Sequence, residues 1–174
     1  MIRTRELTST DLDLWRTLRL EGARLYPEAF LLSSEESSAF PKDVDMRSLD
    51  LGGRFGAFDG EKPVGIAALN RQSISRCRHR GSVGPFYVRR SAQGGGAARA
   101  LMNALIDFAR ANGVWQLELS VAADNPRAIR FYEGFGFAHF GVFPNAVLMP
   151  DGAQDDRFYV LDLRGEGNET QRRG

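Results

Sequence analysis

Residues 84–105 read GPFYVRRSAQGGGAARALMNAL, and this stretch decides the fold. The aromatic and β-branched run at 86–88 is typical of a β-strand. The three consecutive glycines at 94–96 predict a tight turn. Leu101 and Leu105 then recur at the spacing of one face of a helix. We therefore predict a strand, a glycine-rich turn and a helix in direct succession.

A helix that begins directly after glycines is suited to binding an anion. The first backbone N–H groups of a helix have no partner within the helix, and the helix dipole makes that end positive. Glycines lack the Cβ atoms that would keep a phosphate away from these donors. On the glycine run alone, however, a phosphate site and a turn that binds nothing are equally compatible with the sequence.

Two common phosphate-binding motifs fail by residue. A P-loop needs a lysine after its second glycine, whereas the two lysines of this chain, Lys42 and Lys62, lie far from the turn. A dinucleotide fingerprint needs a small residue at its third glycine position. Gly94 and Gly96 supply the first two positions, but Arg99 occupies the third.

The pattern Q/R-x-x-G-x-G/A does fit, with Gln93, Gly96 and Ala98. A second stretch, residues 125–137, fits N-x-x-A-x-x-x-Y-x-x-x-G-F and includes Asn125 and Tyr132. With these two motifs in this order and spacing, the chain resembles the GNAT superfamily of acetyl-CoA-dependent N-acyltransferases.

This resemblance implies a fold of the α/β (α+β) class. We expect a mixed, mostly antiparallel sheet with a central splayed parallel strand pair, flanked by helices. The implied reaction is direct transfer of an acetyl group from acetyl-CoA to a primary amine of a small molecule. The alternatives are a protein or peptide amine as acceptor, and a CoA-binding sensor module without turnover.

The resemblance also implies a cofactor site built largely from backbone groups of the strand and the turn. The predicted cofactor-binding residues are Phe86, Tyr87, Val88, Gln93, Gly94, Gly95, Gly96, Ala97, Ala98, Arg99, Asn125, Ala128 and Tyr132. Gln93 stands where the family more commonly has arginine, so one positive charge is missing. Arg99 could restore that charge if its side chain turns back towards the turn.

Catalysis by direct transfer needs a proton donor for the leaving thiolate and a proton acceptor for the amine. Tyr132 occupies the position of the family's general acid, and a phenol is protonated at pH 7. Glu118 and Glu35 are the predicted candidates for the base, with Glu36 and a water chain to a distant carboxylate as alternatives.

Periodicity predicts the remaining elements. We expect a first strand at 2–7, a helix ending near Tyr26, a hairpin of strands 54–58 and 64–69, and a strand at 115–121. Two final strands, 137–143 and 158–163, are predicted to be joined by a long connection. The acceptor pocket is expected from 15–40 and that connection, with Arg19, Glu21, Arg24, Tyr26, Glu28, Asp151, Asp155 and Asp156 as its charged and phenolic residues.

Composition excludes several classes of protein. The 174 residues carry a net charge of +1, which offers no global field for nucleic acid or membrane binding. A single cysteine, Cys77, and the absence of an apolar signal sequence favour the cytoplasm. With only two histidines, a metal site is not expected.

We predict one domain over 1–164 and a disordered tail at 165–174. A homodimer is a candidate assembly, because open sheet edges are commonly covered.

Overall fold

The computed structural model describes residues 1–165, so nearly all of the predicted disordered tail lies outside the described residues. This part of the chain contains seven strands and five α-helices. The strands are β1 (Ile2–Glu6), β2 (Arg54–Asp59), β3 (Lys62–Arg71), β4 (Arg80–Val88), β5 (Gln116–Ala122), β6 (Ala138–Met149) and β7 (Gly152–Asp162). The helices are α1 (Leu12–Leu25), α2 (Ser34–Ala39), α3 (Lys42–Asp50), α4 (Ala97–Ala111) and α5 (Pro126–Glu133).

All seven strands form one sheet in the order β1-β2-β3-β4-β5-β7-β6. Every neighbouring pair is antiparallel except β4 and β5, which are parallel and joined through α4. Such a strand–helix–strand unit requires a crossover connection, and the helix covers one face of the sheet. The predicted mixed, mostly antiparallel sheet is confirmed.

The parallel pair is short, and its two strands then diverge. β4 and β5 pair only from Arg80 to Ser82 on one strand and from Gln116 to Glu118 on the other. Pro85 follows in β4, and proline has no backbone N–H to donate to a neighbouring strand. From this point to Val88, the edge of β4 that faces β5 has no strand partner in the described part of the chain. The predicted splay is therefore present.

The core lies on both faces of the sheet, because side chains in β3 alternate between them. Ala67 and Leu69 pack with Leu101 and Leu105 of α4 on one face. Ile66 and Ala68 pack on the other face with Trp15 and Leu18 of α1 and with Leu49 of α3. Each large aliphatic side chain buried in this way contributes about 1.5–3 kcal/mol relative to an exposed one.

A buried ion-pair cluster joins α1 to α3. Asp45 is 2% exposed and accepts hydrogen bonds from both Arg16 and Arg19. Arg19 is itself 6% exposed, and its guanidinium lies over the ring of Phe40. The prediction that Arg19 belongs to the acceptor pocket is therefore wrong. Its charge is neutralised inside the helical layer, as a buried cation requires.

The predicted long connection at 144–157 is also wrong. β6 and β7 instead form one long hairpin that turns at Pro150 and Asp151. The register shifts between Phe143 and Val147, where Asn145 has a φ of +52°. A bulge in an edge strand accommodates Pro144, which a regular central strand would not. The sequence therefore resembles a loop although the backbone continues as a strand.

β6 forms an open edge of the sheet. Phe140 and Phe143 are more than half exposed, and both rings stack on Phe158 of β7. The homodimer stays a prediction, although such an edge is of the kind that proteins commonly cover. None of the helices within residues 1–165 is long and apolar enough to cross a membrane.

Candidate active site

The divergence of β4 and β5 opens a cavity of about 800 Å³. Its walls are the second half of β4, the end of β5, the glycine turn before α4, and α5. Segment 26–31 after α1 and the β6–β7 hairpin complete the lining. The part lined by Glu28, Phe30, Val147 and Asp156 is called the far end. Ligand-binding cavities typically measure about 300–1,000 Å³, so this space suits a cofactor with a small second ligand.

The glycine turn presents free hydrogen-bond donors to the cavity. Gly94 and Gly96 have φ values of +82° and +89°, and Gly96 is the residue immediately before α4. A Cβ atom at either position would meet nothing within 4 Å, so the backbone angle, not space, requires glycine. Among residues 1–165, no acceptor is bonded to either N–H.

A side-chain bridge spans the cavity mouth from the glycine turn to α5. The Oε1 atom of Gln93 accepts a hydrogen bond of 2.6 Å from Nη1 of Arg127. The Nε2 atom of Gln93 donates to the carbonyl oxygen of Val88 at 3.1 Å, which fixes the orientation of its amide. Arg127 therefore places a guanidinium group beside Gln93 at the glycine turn. The guanidinium of Arg99 lies 5.4 Å from the ring centroid of Phe135.

Tyr132 lies in the cavity wall between aromatic rings. Phe86, Phe131 and Phe137 contact its ring in edge-to-face arrangements, with centroid distances of 5.4 to 6.4 Å. Its hydroxyl has no hydrogen-bond partner among residues 1–165, although the side chain lines the cavity. Burial of the phenol raises the pKa of Tyr132 to about 12. The group is therefore a protonated donor, held rigidly and free to bond a ligand.

The start of α5 is fixed by its own sequence. The Oδ1 atom of Asn125 accepts a hydrogen bond of 3.1 Å from the backbone N–H of Ala128, and Pro126 is the first helical residue. Asparagine before a helix and proline at its first position are both favoured. This cap holds Arg127 and Tyr132 on the cavity side of the helix.

Most of the predicted cofactor residues line this cavity. Gly95 and Ala97 do not: Gly95 is exposed on the outside of the turn, and Ala97 is fully buried in the core. Those that do are Phe86, Tyr87, Val88, Gln93, Gly94, Gly96, Ala98, Arg99, Asn125, Ala128 and Tyr132.

The two carboxylates predicted as base candidates lie outside the cavity lining. Glu118 forms an ion pair with Arg80, and this pairing lowers the pKa of its carboxyl group. Glu35 is exposed on α2, where hydrogen bonds from its own backbone N–H and from Ser34 lower its pKa. A base with a lowered pKa is a weaker proton acceptor. Neither position brings a carboxylate to the phenol of Tyr132.

The far end of the cavity combines apolar and acidic side chains. Phe30 and Val147 line it together with Glu28 and Asp156. Tyr26 also lines the cavity but lies beside the glycine turn, where its hydroxyl accepts a hydrogen bond of 3.4 Å from Nε2 of Gln93. Three of the eight residues predicted for the acceptor pocket thus lie in the cavity wall. Glu21, also predicted there, instead accepts hydrogen bonds from Tyr87 and Arg89 behind the wall.

Sequence reasoning assigned no role to Arg127 or Ser120, and it did not predict the pairing of Glu21 with Arg89. Arg127 follows Asn125 and Pro126, and its position in the first turn of a capped helix was the available signal. Ser120 lines the cavity from the polar face of β5. Glu21 is 68 residues from Arg89, so no local pattern indicates their pairing. Within residues 1–165, no three His, Cys, Asp or Glu side chains converge as metal ligands would.

Comparison with known proteins gives matches over most of the chain. The model of the Acetyltransferase (GNAT) family matches residues 16–137. A mycothiol acetyltransferase from Streptomyces scabiei is 34% identical over 117 residues, which are 65% of this chain and 37% of that protein. This chain thus spans less than two thirds of that relative's length.

Two solved structures share the fold. A putative acetyltransferase from Salmonella typhimurium, solved with its cofactor acetyl-CoA, has a TM-score of 0.76 and 19% identity, covering 95% of this chain and 96% of that one. A ribosomal-protein-alanine N-acetyltransferase from Brucella melitensis has a TM-score of 0.75 and 22% identity, covering 92% and 99%. Since the family match covers more than half of the residues, this chain belongs to the Acetyltransferase (GNAT) family.

Proposed function

We propose that this protein is an N-acetyltransferase that transfers the acetyl group of acetyl-CoA directly to the primary amine of a small molecule. The observation that carries this proposal is the cavity between β4 and β5. Its lining, within residues 1–165, brings together unbonded N–H groups of the glycine turn, the free phenol of Tyr132, and the carboxylates of Glu28 and Asp156. Family membership supports acetyl-CoA as the acyl donor.

The residues present fit a bound CoA. The N–H groups of Gly94 and Gly96 would donate to its pyrophosphate, assisted by the positive end of α4. Arg99 and Arg127 both line the cavity and would balance the phosphate charge. The unpaired edge of β4 beyond Pro85 would pair with the amides of the pantetheine arm, as an added strand pairs with a sheet edge.

Tyr132 would act as the general acid. The acceptor nitrogen attacks the thioester carbonyl carbon, the C–N bond forms, and the C–S bond breaks with its electron pair on sulfur. Tyr132 gives its proton to that sulfur, and its phenolate recovers a proton from the attacking nitrogen. Its hydroxyl is free for this step because it has no partner among residues 1–165.

Replacing Glu118 with glutamine tests whether this predicted base takes part. The hydrogen bond from Arg80 is the main cause that lowers the pKa of the Glu118 carboxyl group. The ion pair therefore stabilises the fold fully at pH values above the usual glutamate pKa, and this stabilisation is lost as the pH falls through the lowered pKa. The pair is partly exposed, so we expect a loss of about 1 kcal/mol or less at pH 7, measured by urea unfolding. Turnover per folded molecule should stay within about twofold, and a 100-fold loss would restore Glu118 as the base.

Replacing Arg127 with glutamine tests the charge near the pyrophosphate. We expect acetyl-CoA to bind about tenfold more weakly, because one charge-assisted hydrogen bond is lost. Calorimetry should also show a weaker salt dependence. The matched control is Arg130→Gln, on the same helix but outside the cavity lining. The double variant Gln93→Arg/Arg127→Gln should regain affinity, and unchanged binding in the single variant would contradict this role.

A peptide or protein amine is the second candidate acceptor. Leu31 lines the cavity and is 80% exposed, so the far end is open at an apolar rim. A structural neighbour is named as an acetyltransferase for a ribosomal-protein alanine. A CoA-binding sensor without turnover is the third candidate, and the free phenol of Tyr132 argues against it.

A cytoplasmic location is proposed from the single cysteine.

Calorimetry with acetyl-CoA and an assay for thiol release with a panel of amines test the proposal. Micromolar binding with amine-dependent thiol release would support it, and preference for peptide amines over small amines would select the second candidate. Binding without release for any amine would favour the sensor. An absence of acetyl-CoA binding would overturn the whole assignment.

A further inference from the structure

Asp156 is a mostly buried residue whose carboxylate has no cationic partner within residues 1–165. It is 6% exposed, and it lies on the cavity-facing side of β7 opposite Ala122 of β5. Its Oδ1 atom accepts a hydrogen bond of 2.8 Å from Nε2 of Gln154. No donor among residues 1–165 is bonded to Oδ2. Oδ2 is not among the side-chain atoms that the fold closes off completely, so it is open to the cavity, where a ligand can supply the donor that a mostly buried carboxylate favours.

The charges around the cavity explain why Asp156 is left unpaired. The neighbouring Arg157 belongs to the opposite face of β7, because successive side chains in a strand alternate, and it contacts Tyr159. Arg127 is bonded to Gln93, and Arg99 lies over Phe135. Both cations are therefore committed to the cofactor end of the cavity.

Gln154 fixes the carboxylate in this orientation. The same Nε2 atom that donates to Asp156 also donates at 3.2 Å to the backbone carbonyl of Glu28. This fork ties the β6–β7 hairpin to the turn after α1, so the acidic group is held by both walls of the far end. Phe30 and Val147 give that end apolar surface.

We propose that Asp156 binds the ammonium group of the acceptor and takes its proton, and that the acceptor is a cationic primary amine with an apolar or aromatic group beside it. This inference rests on the proposed function. The ammonium N–H bond breaks, its proton passes to Oδ2, and the freed lone pair attacks the thioester carbon. Asp156 later releases that proton to water. The balance is one ammonium and one thioester converted to one amide, one thiol and one proton.

A stability measurement tests the unpaired state without any acceptor. Asp156→Asn keeps the bond from Gln154 and removes the buried charge, so we expect the melting temperature of the free protein to rise by about 2–4 °C. The control is Asp155→Asn, at an exposed neighbour that accepts a hydrogen bond from the N–H of Asn145. A lower melting temperature in Asp156→Asn would overturn the proposal, because the carboxylate would then be satisfied by the fold.

A pair of isosteric acceptors tests the proton transfer. Phenethylamine is a cation at pH 7. In O-benzylhydroxylamine an oxygen atom replaces the methylene group next to the nitrogen, and this nitrogen is already neutral at pH 7. In Asp156→Asn, we expect kcat/KM for phenethylamine to fall about 30-fold, as for loss of one charge-assisted hydrogen bond. The value for O-benzylhydroxylamine should change less than threefold, and acetyl-CoA affinity should not change.

The outcomes separate this inference from the proposed function. Equal losses with both acceptors would show a structural role for Asp156 and overturn the inference alone. Undiminished activity with phenethylamine would do the same. Wild-type protein that binds acetyl-CoA but acetylates neither probe would overturn the acceptor class. Wild-type protein that does not bind acetyl-CoA would overturn the proposed function itself.

Discussion

Replacement of Gly96 by glutamate is expected to weaken acetyl-CoA binding by at least about 1,000-fold. A carboxylate at this position would lie at the positive end of α4, where the pyrophosphate is proposed to bind. Two like charges about 4 Å apart near a protein surface repel by about 4 kcal/mol, and this energy corresponds to the expected loss. Calorimetric titration of the folded variant with acetyl-CoA measures it.

Backbone strain must be separated from charge in this experiment. Gly96 has a φ of +89°, so any side chain there is strained even though the space is open. Gly96→Gln carries the same strain without the charge and should bind at least tenfold more tightly than Gly96→Glu. Gly60→Glu, at a φ of +61° in a hairpin turn, should leave binding unchanged. Tight binding by Gly96→Glu would show that the phosphate lies elsewhere.

The strand, turn and helix around the glycine-turn end of the cavity could be predicted from the sequence because their determinants are local. Strand, glycine turn and helix follow each other within the 32 residues from Arg80 to Ala111, and each conformation depends on residues near it in the chain. The cap by Asn125 is similarly a contact across three residues. Local rules of strand, turn and cap chemistry suffice for such elements.

The acceptor half was predicted less well because tertiary contacts determine it. The sequence around Arg19 indicates a surface cation, but Arg19 is paired with Asp45 of α3, which lies 26 residues further along the chain. Pro144 and Asn145 looked like loop residues, although they form a bulge in an edge strand. Both errors arise because helix–helix and strand–strand partners cannot be read from a residue's own neighbours. The pairing of Gln93 with Arg127, across 34 residues, escaped prediction for the same reason.

The second large effect is expected at Tyr132. Its replacement by phenylalanine should lower kcat by about 100- to 1,000-fold, because general acid catalysis contributes about this much. The ring contacts with Phe86, Phe131 and Phe137 persist in the variant, so the fold and the affinity for acetyl-CoA should change little. The control is Tyr26→Phe, which removes another phenol from the same cavity and should reduce kcat less than threefold.

The pH dependence adds a second test of the same role. Burial raises the pKa of Tyr132 to about 12, so the phenol keeps its proton throughout the range in which the protein can be assayed. An acid with this pKa predicts no fall in kcat on the alkaline side below about pH 11. Stopped assays of thiol release from pH 6 to pH 10 measure this profile. Wild-type turnover by Tyr132→Phe would show that the leaving thiolate takes its proton from another donor, and a fall in kcat near pH 9 would assign the acid to a group of lower pKa.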